Sequence, residues 1–256
     1  MSPTAFGTLT ARPQWQCVDL ISDLHLQASQ AQTFEAWRAH MHNTPANAVL
    51  LLGDVFEVWV GDDAVASDPF LQACAQVLRQ ASRRLTVGFM PGNRDFLVGP
   101  AFLNGCSVQS LQDPTVLIWD AQRIVLSHGD ALCLADEAYQ RFRAVARTPP
   151  WQTQFLAKPL HERLAMAQAM RAQSEAHNQS MSSFADADPA MTQQWLQACD
   201  SLHLVHGHTH RPADHLVENL PGARRQVLSD WHVADGLRRA QVLRLYADGR
   251  TERLAV

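Results

Sequence analysis

No apolar run in this chain approaches the ~20 residues that cross a bilayer as a helix, so a membrane-spanning helix is not expected. The first fifteen residues, MSPTAFGTLTARPQW, hold no apolar stretch of the signal-peptide kind, and no leader is expected. Thiol chemistry is also thinly represented. The five cysteines, Cys17, Cys74, Cys106, Cys133 and Cys199, are scattered, odd in number and never arranged as C-x-x-C. That spacing argues against a disulfide framework and a thiolate zinc site, and a reducing cytoplasm is the setting expected. Basic excess is missing too: 21 Lys and Arg stand against 25 Asp and Glu, a formal net charge of −4. A protein that tracks a nucleic-acid backbone carries the opposite balance, so no nucleic-acid partner is expected. Internal repeats and long low-complexity tracts are absent from the sequence.

What is present is enough chain, 256 residues, for one large domain or for one domain carrying an insertion. Such a chain buries roughly three-quarters of its unfolded surface and needs no disulfide staples. Short apolar runs of strand length recur at 17–21, 49–52, 85–90, 116–119, 124–126, 202–205, 226–228 and 241–245. Helical patterns lie between them at 33–42 and 69–82, and strand–helix alternation predicts a layered α/β fold. Asp120 and Ala121, between two apolar runs, predict a hairpin turn.

From about 136 to 199 the texture changes, and Ala, Gln, Met and Arg dominate. A helix over 136–147 is expected to end at Pro149 and Pro150. A second starts at Pro159 and runs to about 178, and a third covers 189–199. The expected organisation is a core from 16–135 and 200–256, interrupted by an all-helical insertion at 136–199.

Five polar clusters carry the chemistry: ISDLHL (21–26), LLGDVFEVW (51–59), PGNRDF (91–96), LSHGD (126–130) and VHGHTHRP (205–212). Each follows an apolar run, which places it in a loop at the carboxyl edge of a sheet, where ligands bind in open α/β folds. Together they offer Asp23, His25, Asp54, Asn93, His128, His208 and His210, a set of oxygen and imidazole donors. Such donors suit Mn, Fe, Co, Zn or Mg. Seven exceed the needs of one ion. With Asp54 as a bridge, two ions ~3.5–4 Å apart each gain four protein ligands, activate a shared water and clamp phosphoryl oxygens. A lone D-x-H is mostly chance and G-N-x-D is often a turn, but five clusters in this order are not a coincidence of either kind. Asp62 and Asp63 are read as an exposed acidic turn rather than as further ligands.

This pattern resembles the calcineurin-like metallophosphoesterase superfamily, whose motifs are D-x-H, G-D, G-N-x-D, H-G and G-H-x-H. The resemblance implies a layered β-sandwich flanked by helices. It implies one metal on Asp23, His25, Asp54 and His210, and another on Asp54, Asn93, His128 and His208. His206 falls outside both sets and is given a structural role. Where the superfamily has G-N-H-D this chain has Arg94, a permanent charge suited to stabilising a phosphoryl transition state.

GNRDF, with GDVFEVWVGDD, SHGDALCLAD, AYQRFR and HGHTHRP, closely resembles the UDP-2,3-diacylglucosamine pyrophosphatase family of lipid A biosynthesis, from about residue 18 to 245. That resemblance implies hydrolysis of UDP-2,3-diacylglucosamine to UMP and 2,3-diacylglucosamine 1-phosphate, with two divalent ions, usually Mn²⁺. It implies a peripheral position at the cytoplasmic face of the inner membrane. By the same resemblance Asn93 and Arg94, with His208, meet the diphosphate, and Asp136, Ser174 and Asn178 contact substrate from the insertion. One position departs: Met181 stands where the family has a lysine, with Lys158, Arg163 or Arg171 as candidate replacements. Trp151, Phe155, Leu156, Leu160, Leu164 and Met170 recur at helical spacing, a surface expected to shelter acyl chains, touch a membrane or pack on the core. Two other readings stay open here: a soluble nucleotide or nucleic-acid phosphodiesterase, and a scaffold without activity.

Overall fold

The computed structural model describes residues 5–180, 186–234 and 236–256, with side chains described outside 172–180. One six-stranded sheet is built on β2 (Cys17–Ile21), β3 (Ala48–Leu52) and β4 (Thr86–Met90), which run parallel. The short β5 (Gln109–Ser110) flanks β4, while β13 (Gln241–Tyr246) and β14 (Thr251–Ala255) extend the other side antiparallel. The second six-stranded sheet runs in the order β1 (Gly7–Thr10), β6 (Thr115–Trp119), β7 (Gln122–Ser127), β8 (His203–His206), β10 (Arg224–Val227), β9 (Ala213–Leu216). β6 and β7 form a hairpin closed by Asp120 and Ala121, with Asp120 at a φ of 51°. A separate two-stranded ribbon joins β11 (His232–Ala234) to β12 (Leu237–Arg239).

The strand sequences explain the layering. Side chains alternate between faces along a strand, yet β3 is apolar at every position because both of its faces are buried. Leu50 and Leu52 enter one core with Val18, Leu20, Leu117, Leu126, Val205 and Leu243, so the two sheets pack face to face. Val49 and Leu51 point the other way, onto Trp37 and Met41 of α1 (Ala31–Asn43) and Leu78 of α2 (Pro69–Ser82). On the far side of the second sheet, Val125 and Leu204 pack against Trp195 and Leu196 of α7 (Pro189–Ala198). The order of layers is helix, sheet, sheet, helix, a mixed α/β sandwich.

Between β7 and β8 the regular elements over 137–198 are helices: α4 (Glu137–Ala146), α5 (Pro149–Leu156), α6 (Leu160–Ser180) and α7. α3 (Pro100–Gly105) belongs to the core. Pro149 and Pro150 do close α4, but they also open α5, because proline is tolerated in the first turn of a helix, where the N–H has no partner. Ion pairs fasten this helical segment, among them those centred on Asp130 and Asp63. Asp130 accepts from Tyr139 Oη, Arg143 Nε (2.8 Å) and Arg147 Nη2 (3.4 Å) of α4 and its C-terminal cap. Arg163 of α6, 3% exposed, donates to the Val60 carbonyl and to both oxygens of Asp63. No helix among the described residues is long and apolar enough to cross a membrane.

Candidate metal centre

Register sets the site. Ile21 pairs with Leu51, Leu52 with Met90 and Ser127 with His206, so the ends of β2, β3 and β4 are level in one sheet and those of β7 and β8 in the other. The loops beyond these five ends carry all seven predicted donors to the same edge of the sandwich. The backbone there is unusual. Asp23, His25, Asp54, His208 and His210 all have φ between 47° and 67°, a left-handed conformation that costs a non-glycine residue of order 1 kcal/mol or more. Five such residues among seven donors are held only because the surrounding structure leaves them no alternative, and strain of this kind concentrates at functional sites. Two glycines permit the close approach of the loops. A Cβ on Gly92 would sit 2.2 Å from Asp54 Oδ1, and one on Gly207 would sit 2.3 Å from Asp23 Oδ2.

The donor atoms fall into two groups. His25 Nε2 lies 3.2 Å from His210 Nε2 and 4.0 Å from Asp54 Oδ2, and His210 Nε2 lies 3.3 Å from Asp23 Oδ1. Around a second point, Asn93 Oδ1 is 2.8 Å from His128 Nε2 and 2.9 Å from His208 Nδ1, with Asp54 Oδ1 3.6 Å from His128 Nε2. Asp54 thus turns one oxygen toward each group. Asp23, His25 and His210, and likewise Asp23, Asp54 and His128, present ligand atoms all within 4.8 Å of one another, the spacing a single ion can span. Nitrogen and oxygen donors this close fit divalent cations.

Electrostatics favours cations in the same place. Burial opposes charge on His128, yet Asp54, Asp23, Asp130 and Asp113 outweigh it and push its pKa up to about 9. His25 is raised in the same way, burial being overcome by Glu57, Asp54 and Asp23. Asp23, despite complete burial, is held well below the usual carboxylate range by His210, His128 and His25. Carboxylates that draw protons onto these rings draw metal ions as well, and the ions displace the protons.

Supporting residues fix the donors. His128 Nδ1 faces the Leu52 carbonyl at 3.0 Å, which leaves Nε2 for the site. The Asp23 carboxylate accepts the His208 N–H at 3.0 Å. Buried Asp95, the last residue of G-N-R-D, accepts from the N–H groups of Val55 (2.7 Å), Gly92 (2.8 Å), Phe56 (3.3 Å) and Asp54 (3.3 Å), and so pins the Asp54 loop to the Asn93 loop. Burial and the charge of Asp54 push its pKa up to about 6. The Arg94 N–H donates to Asp54 Oδ1 at 2.8 Å, and its guanidinium faces an adjoining cavity of about 500 Å³. Tyr139 stacks on His208 with ring centroids 6.1 Å apart.

Sequence reasoning gave no role to Asp95, Asp130, Tyr139 or Glu57. All four sit inside motifs of the sequence, but their roles are recognisable only by their spatial partners. His206 is buried between Arg225 Nη1 (3.1 Å) and the Gly207 carbonyl, away from both donor groups.

The cavity joins Asn93, Arg94 and Glu57 to Asp136, Tyr139, Phe96, Phe142, Trp151, Phe155, Met170 and Arg171. Asp136 lines it while capping α4 through the Tyr139 N–H at 2.9 Å. Several expectations need correction here. Arg163 cannot replace a lysine toward substrate, because its guanidinium is consumed by Val60 and Asp63; Lys158 does not reach the cavity wall, and Arg171 does. Leu156 and Leu164, each 40% exposed, face solvent, whereas Trp151, Phe155 and Met170 face the cavity. Asp62 is no exposed turn residue: it accepts from the Gly99 (2.8 Å) and Phe102 (2.9 Å) N–H groups at the start of α3 and from Trp59 Nε1. Ser174 and Asn178 fall on the stretch of α6 without described side chains, and Met181 lies outside the described residues.

No family model matches this chain. A UDP-2,3-diacylglucosamine hydrolase of Bordetella pertussis is 44% identical over 225 residues, covering 86% of this chain and 85% of that protein. One from Ralstonia nicotianae is 41% identical over 257 residues, covering 95% and 94%. Among solved structures, an archaeal phosphodiesterase superposes with a TM-score of 0.47 at 10% identity, covering 94% of this chain and 99% of that one. At this level of identity over nearly the full length of both chains, the protein belongs to the UDP-2,3-diacylglucosamine hydrolase family.

Proposed function

We propose that this protein hydrolyses the diphosphate of UDP-2,3-diacylglucosamine, releasing UMP and 2,3-diacylglucosamine 1-phosphate. The observation that supports this reading is one continuous arrangement: metal donors on either side of Asp54 lie beside Asn93 and Arg94, which line a cavity of about 500 Å³ walled by Phe96, Phe142, Trp151, Phe155 and Met170. A site for a small soluble diester has no use for that apolar wall; a diacylated sugar does.

Asp23, His25, Asp54 and His210 hold one ion in this account, and Asp54, Asn93, His128 and His208 the other. When bound, two such ions supply positive charge to the phosphoryl oxygens and acidify a water for in-line attack. The donor set, rich in carboxylate and imidazole, is compatible with Mn²⁺, the metal proposed. The protein's own groups do the rest. Asn93 and Arg94 orient the diphosphate, and the Arg94 guanidinium stabilises the charge that develops on the leaving phosphate. Asp136, Arg171, Ser174 and Asn178 address the sugar and lipid from the helical insertion 136–199, which serves as a lid on the core. Phe142, Val145, Leu156 and Leu164 are exposed on that insertion and supply a peripheral contact with the cytoplasmic face of the inner membrane.

A paired assay tests this. The protein should turn over UDP-2,3-diacylglucosamine in detergent far faster than bis-p-nitrophenyl phosphate. The reverse preference would favour a soluble phosphodiesterase.

A further inference from the structure

Glu57 lies three residues after Asp54, buried to 7% exposure at the rim between the metal donors and the cavity. Its two oxygens are divided between two kinds of partner. Oε2 is 2.7 Å from His25 Nδ1. Oε1 is 2.8 Å from Arg171 Nη1 on α6 and 3.6 Å from Arg94 Nη1. With Glu57 against Nδ1, at ion-pair distance but without hydrogen-bond alignment, Nε2 of His25 faces His210 and Asp54. The other histidines have weaker outer partners: His128 Nδ1 meets a neutral carbonyl, and His210 Nδ1 is 3.7 Å from Asp230, which is itself paired with Arg239. Among the described residues, Glu57 is the carboxylate that both contacts a donor ring and holds arginines lining the cavity.

We propose that Glu57 is a positioning residue that fixes His25 for metal binding and, through Arg94 and Arg171, couples that ligand to the substrate cavity and the helical insertion. The inference rests on the two-metal reading of the site. A carboxylate on the outer nitrogen of a ligating histidine sets the tautomer and raises the basicity of the ligand nitrogen. The second oxygen needs a full negative charge to hold two guanidiniums, which an amide lacks. Glu57→Gln keeps the shape and removes that charge, so both jobs suffer at once. Arg171→Ala leaves the contact with His25 intact and removes only the connection to α6.

The test is calorimetric binding of Mn²⁺ to metal-depleted protein, which requires no turnover. Glu57→Gln should bind one of the two ions roughly 10–100-fold more weakly, the range for loss of an outer partner of a ligand. Arg171→Ala should keep both affinities and raise KM for the lipid substrate. Unchanged affinities in folded Glu57→Gln would overturn the proposal, even if hydrolysis of the diacylated substrate by the unmodified protein is confirmed. Conversely, absent hydrolysis by the unmodified protein with a weakened ion in Glu57→Gln would sink the assigned substrate and leave Glu57 its role. If the variant does not fold, long-range ¹H–¹⁵N spectra of Zn²⁺-loaded unmodified protein decide: the His25 proton must sit on Nδ1, and a proton on Nε2 overturns the assignment.

Discussion

Asp54 turns Oδ2 toward His25 and Oδ1 toward His128, the arrangement behind its proposed role as a bridge between two ions. Removing it should therefore cost more metal than removing a terminal ligand. Asp54→Ala is expected to purify with fewer ions than His25→Ala and without activity, as read by elemental analysis; a variant with two ions and normal turnover contradicts the bridge. On the proposed reading, Arg94 serves catalysis rather than metal retention. Arg94→Ala should lower kcat by roughly 10²–10³ and keep both ions, the loss typical of deleting a donor to a charged transition state. Two buried groups outside the donor set contribute to acid stability. Burial and Arg224 hold His203 down to about 4, while its unfolded value is about 6.5. Between those values the unfolded chain binds a proton that the native state refuses, so stability falls as pH drops through that window. Asp19 is held down to about 2, burial being outweighed by His40, Arg244 and Thr44, and its contribution disappears between about pH 4 and 2. The shifts correspond to roughly 3.5 kcal/mol for His203 and roughly 2.5 kcal/mol for Asp19 at most. Urea midpoints should decline from pH 6 to 4, and His203→Gln should flatten that decline; an unaltered slope refutes the assignment. The donors were legible in the sequence because each follows its strand within a few residues. Glu57 and Asp95 were not, since a carboxylate's partners forty or a hundred residues away leave no local mark.

At the scale of elements, the strands read most easily were those buried on both faces. β2, β3 and β4 are continuous apolar runs because helices cover one side and the second sheet the other. β9, β12 and β14 are exposed or half-exposed and lie at edges or in a separate ribbon, so no apolar run announced them. α5 was missed because its two prolines read as a stop, although a proline pair can end one helix and begin the next. The helical segment 136–199 has the composition of any amphipathic bundle, and ion pairs such as Asp130 with α4, Asp63 with Arg163 and Glu57 with Arg171 tie its described helices to the core. Spacing alone did not separate Met170, on the cavity, from Leu164, which faces away. Met170→Asp should expel acyl carbons from the cavity wall. Three displaced methylenes at about 0.8 kcal/mol each amount to about 2.4 kcal/mol, on the order of fiftyfold in kcat/KM for the diacylated substrate. Cleavage of a small chromogenic diester should persist with both ions in place; equal losses on the two substrates would count against a role in lipid selection.

Across the whole molecule, two sheets from distant parts of the chain are brought face to face so that five strand ends meet at one edge. That meeting brings residues separated by nearly 190 positions to within 3.3 Å, as at Asp23 and His210. The family, the layered class and the division of donors into two sets around Asp54 were accessible from motifs, periodicity and resemblance, whereas the cavity beside them and the contacts that support the donors required coordinates. The proposed activity requires those two sets of donors to act together on a lipid-linked diphosphate. The most direct measurement is hydrolysis of UDP-2,3-diacylglucosamine by metal-depleted protein as Mn²⁺ is restored, with bound metal and both products followed together. Activity should be absent without metal, should rise only as the second ion binds, and should yield UMP and 2,3-diacylglucosamine 1-phosphate in equal amounts. Full turnover with one ion or none, or no turnover with two, would contradict it.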